Sequence, residues 1–149
     1  MSNNGTKSHA MNAAEGMIVV DAPVAAVYQR WLKFEDYPQF ITAMKRVRKL
    51  DAHHLVAQLG FAGKRYDANL EIMLRVPERR LAWRTISNGH AAANLAAGVV
   101  SFDSCPDGAT RVSLKLTSSF GGAVGRRVDK YLRNFKRLVE QQATPRRNT

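Results

Sequence analysis

The sequence predicts an α+β fold, in which a curved antiparallel sheet of seven strands wraps around one long C-terminal helix. In the central part of the chain, apolar and polar residues alternate within segments that short turns separate, a pattern typical of antiparallel strands. Near the C-terminus, apolar residues recur every three or four positions, as in an amphipathic helix. A sheet with one apolar face and a helix with one apolar stripe bury both by packing together. A length of 149 residues corresponds to one domain.

The N-terminal part predicts one strand followed by two short helices. Gly16–Val20 is a short apolar run of strand type. Pro23 suits the first turn of a helix, where its missing N–H costs nothing, and Asp21 suits the positive end of the helix dipole. One apolar face at helical spacing follows, formed by Val24, Val27, Tyr28 and Trp31. A second helical piece, broken near Pro38, is expected over Phe34–Phe40.

Six further strands are predicted from Val47 onward, where the apolar period changes to two. Turn signals at Ala62–Lys64, Pro77–Arg79 and Pro106–Gly108 separate several of them, and short links imply antiparallel hairpins. The residues expected on the buried face are Leu55, Ala57, Leu59, Phe61, Tyr66, Ala68, Leu70, Ile72, Leu81, Trp83, Thr85, Gly98, Val100, Phe102, Val112, Leu114 and Leu116.

The last predicted element is a helix over Ala123–Gln142 with one buried and one basic side. Its apolar stripe consists of Val124, Val128, Tyr131, Leu132, Phe135, Leu138 and Val139. The opposite side carries Arg126, Lys130, Arg133, Lys136 and Arg137, with Arg127 on the flank. From Arg126 to the C-terminus, eight basic and two acidic residues supply +6 of the total charge of +11. This basic face is expected to be either the surface for an anionic partner, such as a membrane or RNA, or a solvated helix surface without a partner.

Composition indicates a folded protein of the cell interior. Hydrophobic residues make up 45% and charged residues 23%, which is ordinary for a globular chain. We expect a folded domain over residues 15–142, with flexible tails at 1–14 and 143–149. Cys105 has no partner for an internal disulfide, and residues 1–14 lack the apolar segment of an export signal. A cytoplasmic location is therefore expected.

Five segments carry a family resemblance when they are taken in chain order. They are Asp21–Val24 with the following Tyr28 and Trp31, Phe34–Phe40, Tyr66–Ala68, Val76–Arg84 and Gly98–Phe102. Over about residues 16–142, the chain resembles the START-like (SRPBCC) helix-grip superfamily, and within it the polyketide cyclase/dehydrase and coenzyme Q-binding group. The resemblance implies a cavity between sheet and helix, in which members of the family hold lipids, quinones or polyketides.

The inward-facing residues add an indication of their own, because they mix large aromatic side chains with very small ones such as Ala57, Ala68 and Gly98. Small residues on a concave face leave volume unless the helix approaches closely; alternatively, the aromatic rings fill that volume and form an ordinary core. The expected pocket lining is Tyr28, Trp31, Tyr37, Phe40, Ala57, Leu59, Phe61, Tyr66, Ala68, Leu70, Trp83, Val100, Phe102, Leu114, Val128, Tyr131, Leu132 and Phe135. A hydroxyl near a polar ligand head is expected from Tyr28, Tyr66 or Tyr131, unless each bonds to nearby backbone.

No pattern in the sequence predicts a catalytic centre, a metal site or a bound cofactor. The four histidines lack Cys, Asp or Glu partners at metal-ligand spacing. The sequence contains neither a glycine-rich phosphate loop nor the elbow motif of serine hydrolases. Asp67 and Glu71 are expected on the outward face beside surface arginines, and Arg84 is also expected to point outward.

Three functions remain open at this point. The first is binding or carriage of a hydrophobic small molecule. The second is association with ribosomes or RNA, since some members of the group resemble ribosome-associated toxins, but exposed aromatic residues for base stacking are missing from the basic face. The third is an aromatic polyketide cyclase/dehydrase, for which the sequence offers no evident acid–base pair. The alanine-rich segment 88–97 is either a lid over the pocket or a tolerated insertion.

Overall fold

The computed structural model describes residues 12–61, 63–86, 96–118 and 127–143. The elements are β1 (Asn12–Val20), α1 (Val24–Trp31), a 3₁₀ helix (Phe34–Gln39), β2 (Met44–Lys49), β3 (His54–Phe61), β4 (Lys64–Val76), β5 (Arg80–Ile86), β6 (Ala96–Ser104), β7 (Thr110–Ser118) and α2 (Val128–Ala143). All seven strands form one sheet in the order β1-β7-β6-β5-β4-β3-β2, and every neighbouring pair is antiparallel. The predicted α+β architecture, a curled half-barrel sheet with a C-terminal helix, is confirmed.

The alternating pattern of the central strands separates the two faces of the sheet as predicted. Leu81, Val100 and Val112 are completely buried on the inner face. Their neighbours Arg80 and Arg111 are exposed on the outer face. Because side chains of a strand point alternately to opposite faces, this alternation also sets the register between strands.

β2 differs from the prediction, which began the strand pattern only at Val47. The strand starts three residues earlier, at Met44, and a bulge interrupts its pairing with β3 between Met44 and Arg46. The extra residue of a bulge breaks the period of two. Met44 and Val47 are therefore buried with two exposed residues between them. The exposed residues of this edge strand are all basic: Lys45, Arg46, Arg48 and Lys49.

The two short helices follow β1 as expected. Pro23 is the residue before α1 rather than within it, with an extended backbone at φ −66° and ψ 153°. The second helical piece is a 3₁₀ helix that runs through Pro38 and ends one residue later at Gln39, so Pro38 does not break it. The backbone N–H of Phe40 donates to the carbonyl of Tyr37 and closes its last turn.

α2 packs against β1 and β7 at one edge of the sheet and bonds to the end of the 3₁₀ helix. On the β1 side, a Cβ at Gly16 would lie 2.8 Å from Val128 Cγ1 and 3.2 Å from Leu132 Cδ1, so the helix approaches closely because that residue is glycine. On the other side, Asn134 Nδ2 donates to the carbonyl of Phe40 at 3.2 Å. The helix ends at Ala143, one residue beyond the predicted bound. The expected first turns of the helix, with Val124 and Arg126, lie outside the described residues.

Candidate functional site

Most of the predicted pocket residues are buried between the sheet and the helices. The buried members are Tyr28, Trp31, Tyr37, Phe40, Ala57, Leu59, Leu70, Val100, Phe102, Leu114, Val128, Tyr131, Leu132 and Phe135. Ala68 and Trp83 are half-buried and pack against this core. The side chains of Phe61 and Tyr66 lie outside the described residues.

One end of the interior is filled by aromatic rings that surround Trp31. Its ring centroid lies 4.7 Å from that of Phe135, 5.2 Å from Phe40 and 6.2 Å from Phe102. The tilted and edge-on ring pairs are the arrangements that aromatic rings prefer. Tyr37 belongs to the same cluster, and its hydroxyl donates to the carbonyl of Trp31 at 2.9 Å. At this end, the rings fill the space between sheet and helix.

The other end of the sheet is less completely covered. Leu81 on β5 is fully buried, whereas Trp83 and Thr85 further along the same strand are half-buried. The predicted small residue Gly98 does not leave a void, because a Cβ there would lie 2.5 Å from Trp83 Cζ2. The indole therefore occupies the space above this glycine.

β5 ends and β6 begins at this less covered end, and residues 62, 87–95 and 119–126 are outside the described residues. The predicted lid segment 88–97 is among them, except that Ala96 and Ala97 belong to β6. The lid hypothesis thus concerns residues beyond those that the structure describes.

Among the described residues of the interior, three polar atoms have no hydrogen-bond partner. They are the hydroxyl oxygens of Tyr28 and Tyr131 and the indole Nε1 of Trp31. All three side chains are at most 2% exposed. The hydroxyl of Tyr131 lies beside the backbone of Ala43 without completing a hydrogen bond to it. Because a buried polar atom without a partner costs free energy, these atoms are candidate contacts for a further polar group.

The sequence predicts a hydroxyl for a polar ligand head from Tyr28, Tyr66 or Tyr131. Of these, Tyr28 and Tyr131 are not bonded to nearby backbone, and the side chain of Tyr66 lies outside the described residues. The Nε1 of Trp31 was missed, since spacing shows that a tryptophan is buried but not which edge of the indole meets an acceptor.

The buried phenols of Tyr37 and Tyr131 keep their protons at neutral pH and so have an O–H available for donation. Burial raises the pKa of Tyr131, although the charge of Arg127 and the backbone of Ala43 oppose part of that rise. Burial likewise raises the pKa of Tyr37 well above its usual value, and the charge of Arg75 opposes it. Both phenols remain protonated at neutral pH, so neither is a ready proton acceptor.

The ionisable side chains lie mainly outside the interior. Arg84 on β5 forms an ion pair with Glu71 on β4 at 3.0 Å on the outer face, as predicted for both residues. Among the described residues, the buried polar or charged side chains apart from tyrosine and tryptophan are Arg30 and Thr110. The described interior therefore holds no carboxylate or imidazole.

The basic face predicted for α2 is only partly as expected. Arg127, Lys130, Arg133 and Arg137 are exposed. Lys136 differs, because its Nζ donates to the carbonyl of Val19 at 2.9 Å and to Glu140 Oε2 at 2.6 Å. Its long side chain reaches back to β1, a contact that helical spacing alone does not reveal. Arg126 lies outside the described residues.

The described helices also bear on a membrane role. Neither α1 nor α2 is long and apolar enough to cross a bilayer.

Comparison with known proteins agrees with this architecture. The model of a family described as polyketide cyclase / dehydrase and lipid transport matches residues 20–142. An uncharacterized 17.2 kDa protein of Streptomyces lincolnensis, from the melC2-rnhH intergenic region, is 33% identical over 144 residues, which cover 89% of this chain and 92% of that protein.

Solved structures show the same fold. Zhui aromatase/cyclase from Streptomyces sp. R1128 superimposes with a TM-score of 0.76 at 15% identity, covering 89% of this chain and 96% of that one. A START superfamily protein from Mycobacterium smegmatis gives a TM-score of 0.70 at 14% identity, covering 87% and 98%. Because the family model spans most of the chain and the fold agrees, the chain belongs to the family described as polyketide cyclase / dehydrase and lipid transport.

Proposed function

We propose that this protein binds an apolar small molecule with at least one polar group, in the interior between the sheet and α2, and serves as its carrier. The observation that carries the proposal is the set of three buried polar atoms without partners, on Tyr28, Trp31 and Tyr131. A hydroxyl or carbonyl oxygen of a ligand supplies what these atoms lack, while the surrounding apolar side chains receive the rest of the molecule.

The energetics fit an apolar ligand. Removing about 300 Å² of ligand surface from water is worth roughly 7 kcal/mol at 25 cal/mol per Å². Association costs several kcal/mol of this gain, and a hydrogen bond to a buried hydroxyl adds about 1 kcal/mol. Micromolar binding follows without a charged contact.

Binding is favoured over a cyclase or dehydrase reaction by the chemistry of the described interior. Tyr28 and Tyr131 are able to polarise a carbonyl, but moving a proton next to it also requires an acceptor. The described interior offers no carboxylate or imidazole for that step. Incubation with a poly-β-ketone substrate is expected to return it unchanged, and a cyclised product would favour the enzymatic function instead.

The most direct test identifies what the purified protein carries. Native mass spectrometry is expected to show an added mass that organic extraction releases as an apolar compound. Co-purifying ribosomal RNA in place of such a compound would contradict the carrier proposal.

Matched tyrosine variants test the role of the unpartnered hydroxyls. We expect Tyr28→Phe and Tyr131→Phe to raise the free energy of unfolding of the ligand-free protein by about 1 kcal/mol, because each removes a buried polar atom that has no partner. Tyr37→Phe is the control, since its hydroxyl already bonds to the carbonyl of Trp31, and its loss should destabilise the protein. Denaturant titration measures all three.

The same variants should change ligand preference. With 1-naphthol and naphthalene as matched probes, the wild type is expected to bind the hydroxylated probe about tenfold more tightly. That preference should shrink in Tyr28→Phe or Tyr131→Phe and persist in Tyr37→Phe. If the wild type binds both probes with equal affinity, or binds neither, the result contradicts the proposal.

A further inference from the structure

A cleft at the surface lies beside α1 and the C-terminal part of α2. It has a volume of about 270 Å³ and is lined by Ala22, Pro23, Ala26, Gln29, Arg30, Lys33 and Val139. We refer to these seven residues as the α1 cleft. Positions 22, 26, 29, 30 and 33 recur every three or four residues, so they share one face of α1 and the turns beside it. The C-terminal part of α2 contributes Val139.

Arg30 gives this cleft its chemical character. The residue is only 7% exposed, although it carries a permanent positive charge. Its Nη1 donates to Asp36 Oδ2 at 2.6 Å, which compensates the charge. Its Nε is buried and has no hydrogen-bond partner. A guanidinium has five N–H donors, and one carboxylate contact does not occupy all of them.

The rest of the cleft divides into an apolar and a polar part. Ala22, Pro23, Ala26 and Val139 offer apolar surface. Gln29 precedes Arg30 directly, Lys33 follows it by three residues, and both line the cleft with side chains that carry N–H donors. Lys33 is exposed.

We propose that the α1 cleft binds a small anionic amphiphile, with its carboxylate or phosphate on Arg30 and Lys33 and its short alkyl part against the alanines and Val139. Two oxygens of such a group match the planar donor edge of a guanidinium, and bonds of this kind are stronger than those between neutral groups. The ligand reaches Nε after a small shift of the side chains that now cover it. This site is separate from the interior and does not depend on the carrier proposal.

The test follows the Arg30 Nε–H resonance by NMR while hexyl phosphate is titrated at constant ionic strength. The Arg30→Lys variant assigns the signal, because it keeps the charge but lacks Nε. We expect a saturable shift in the wild type. Since the signal reports the cleft itself, hexyl phosphate that binds in the interior leaves no saturable shift at this position.

Two exposed positions provide variants that spare the buried ion pair. Lys33→Gln removes a charge from the polar part of the cleft and is expected to lower the affinity for hexyl phosphate about tenfold. Ala26→Leu fills the apolar part and should abolish binding. Lys49→Gln is the matched control, because Lys49 lies with Lys33 and Asp36 on a neighbouring cavity but not in the cleft.

Further ligands distinguish the possible sources of the anion. Inorganic phosphate should bind at least tenfold more weakly than hexyl phosphate, and hexanol should not move the signal. No shift with hexyl phosphate, an equal shift with hexanol, or unchanged affinity in both Lys33→Gln and Ala26→Leu would overturn the proposal. Equal affinity for inorganic phosphate and hexyl phosphate would contradict the proposed contact with an alkyl chain. The cleft would then be a site for free phosphate.

Discussion

Gly98 shows how one residue without a side chain decides the position of a large one. A Cβ at Gly98 would lie 2.5 Å from Trp83 Cζ2 and 3.0 Å from Leu116 Cδ2. Trp83 is directly opposite Gly98 in the pairing of β5 with β6, and the indole lies across the glycine. The closeness of this contact explains why the strand tolerates a residue with poor strand propensity.

Gly98→Ala is therefore expected to destabilise the protein by about 1–3 kcal/mol, because the indole of Trp83 must move to admit a methyl group. Denaturant unfolding measures the loss. In a Trp83→Leu background the same substitution should cost much less, since the side chain that it would displace is smaller. An equal cost in both backgrounds would show that the contact with Trp83 is not the cause.

The residue scale is also where prediction from the sequence was least complete. The spacing of Trp83 and Gly98 in the sequence places both on the inner face, but their contact depends on which strands are neighbours and in which register. Similarly, helical spacing places Lys136 on the basic face, whereas the flexible side chain reaches the carbonyl of Val19 on β1. Contacts between elements are not encoded in the period of a single element.

At the scale of elements, a polar contact at the C-terminal part of α2 fixes the end of β1. Glu140 Oε2 accepts a hydrogen bond from the backbone N–H of Asp21 at 2.8 Å, and Lys136 donates to the same oxygen. Burial by itself would raise the pKa of Glu140, but the bonds from Lys136 and Asp21 and the charge of Lys136 lower it overall. The folded state therefore stabilises the charged form of Glu140 relative to its neutral form.

Because the folded-state pKa lies below the unfolded value of 4.5, Glu140 contributes stability above that pH and loses it as the pH falls through the folded pKa. Glu140→Gln is expected to lower the free energy of unfolding at pH 7 and to flatten its decline below about pH 4.5. Lys136→Met should have an overlapping effect, so the double variant should cost less than the sum of the two single variants. Unfolding measured across this pH range checks both points, and strict additivity would contradict the contact.

Element boundaries were predictable where the pattern was regular. The central strands and the end of α2 agree with the sequence pattern because each buries a single face at a constant period. The start of β2 was missed because its bulge interrupts the alternation at Lys45. Likewise, Arg30 lies within the apolar pattern of α1 without matching it, so the buried ion pair with Asp36 was not predicted.

At the scale of the whole molecule, positive charge is concentrated on the outside of α2 and on β2. Lys130, Arg133 and Arg137 are exposed along the helix. The chain carries a net charge of +11, so it attracts anionic surfaces at a distance. If the carrier proposal holds, we expect the basic face of α2 to lie against an anionic membrane while the ligand is loaded or released.

Replacing Lys130 and Arg133 with glutamine should weaken binding to vesicles that contain phosphatidylserine by roughly tenfold or more, since each basic residue near such a surface is worth about 1 kcal/mol. Vesicle sedimentation at increasing salt concentration measures this effect. A variant with Arg79→Gln and Arg80→Gln, which removes the same charge from the far end of β4 and the outer face of β5, should bind nearly as the wild type does. Equal losses in the two variants would indicate attraction by net charge alone, and tighter binding to an RNA oligonucleotide than to vesicles would favour the ribosomal alternative.

The overall architecture and the family were recognisable from the sequence, while the character of the interior was only partly so. Alternation and helical periodicity specify which faces are buried, and buried faces of a sheet and a helix leave few ways to pack. Whether the space between them is filled depends on the orientation of rings such as those of Trp31 and Phe135, whose centroids lie 4.7 Å apart. Such orientations arise from packing in three dimensions, so the spacing of residues in the sequence does not predict them.

The cations of β2 affect how copies of this protein behave toward each other. β2 ends the sheet, so one side of its backbone has no neighbouring strand in the strand order. Edge strands are potential sites of pairing with another copy, and on β2 the exposed Lys45, Arg46, Arg48 and Lys49 would repel their own duplicates there. Shielding by concentrated salt or by polyphosphate removes that repulsion, so crowded storage under such conditions favours aggregation through this strand.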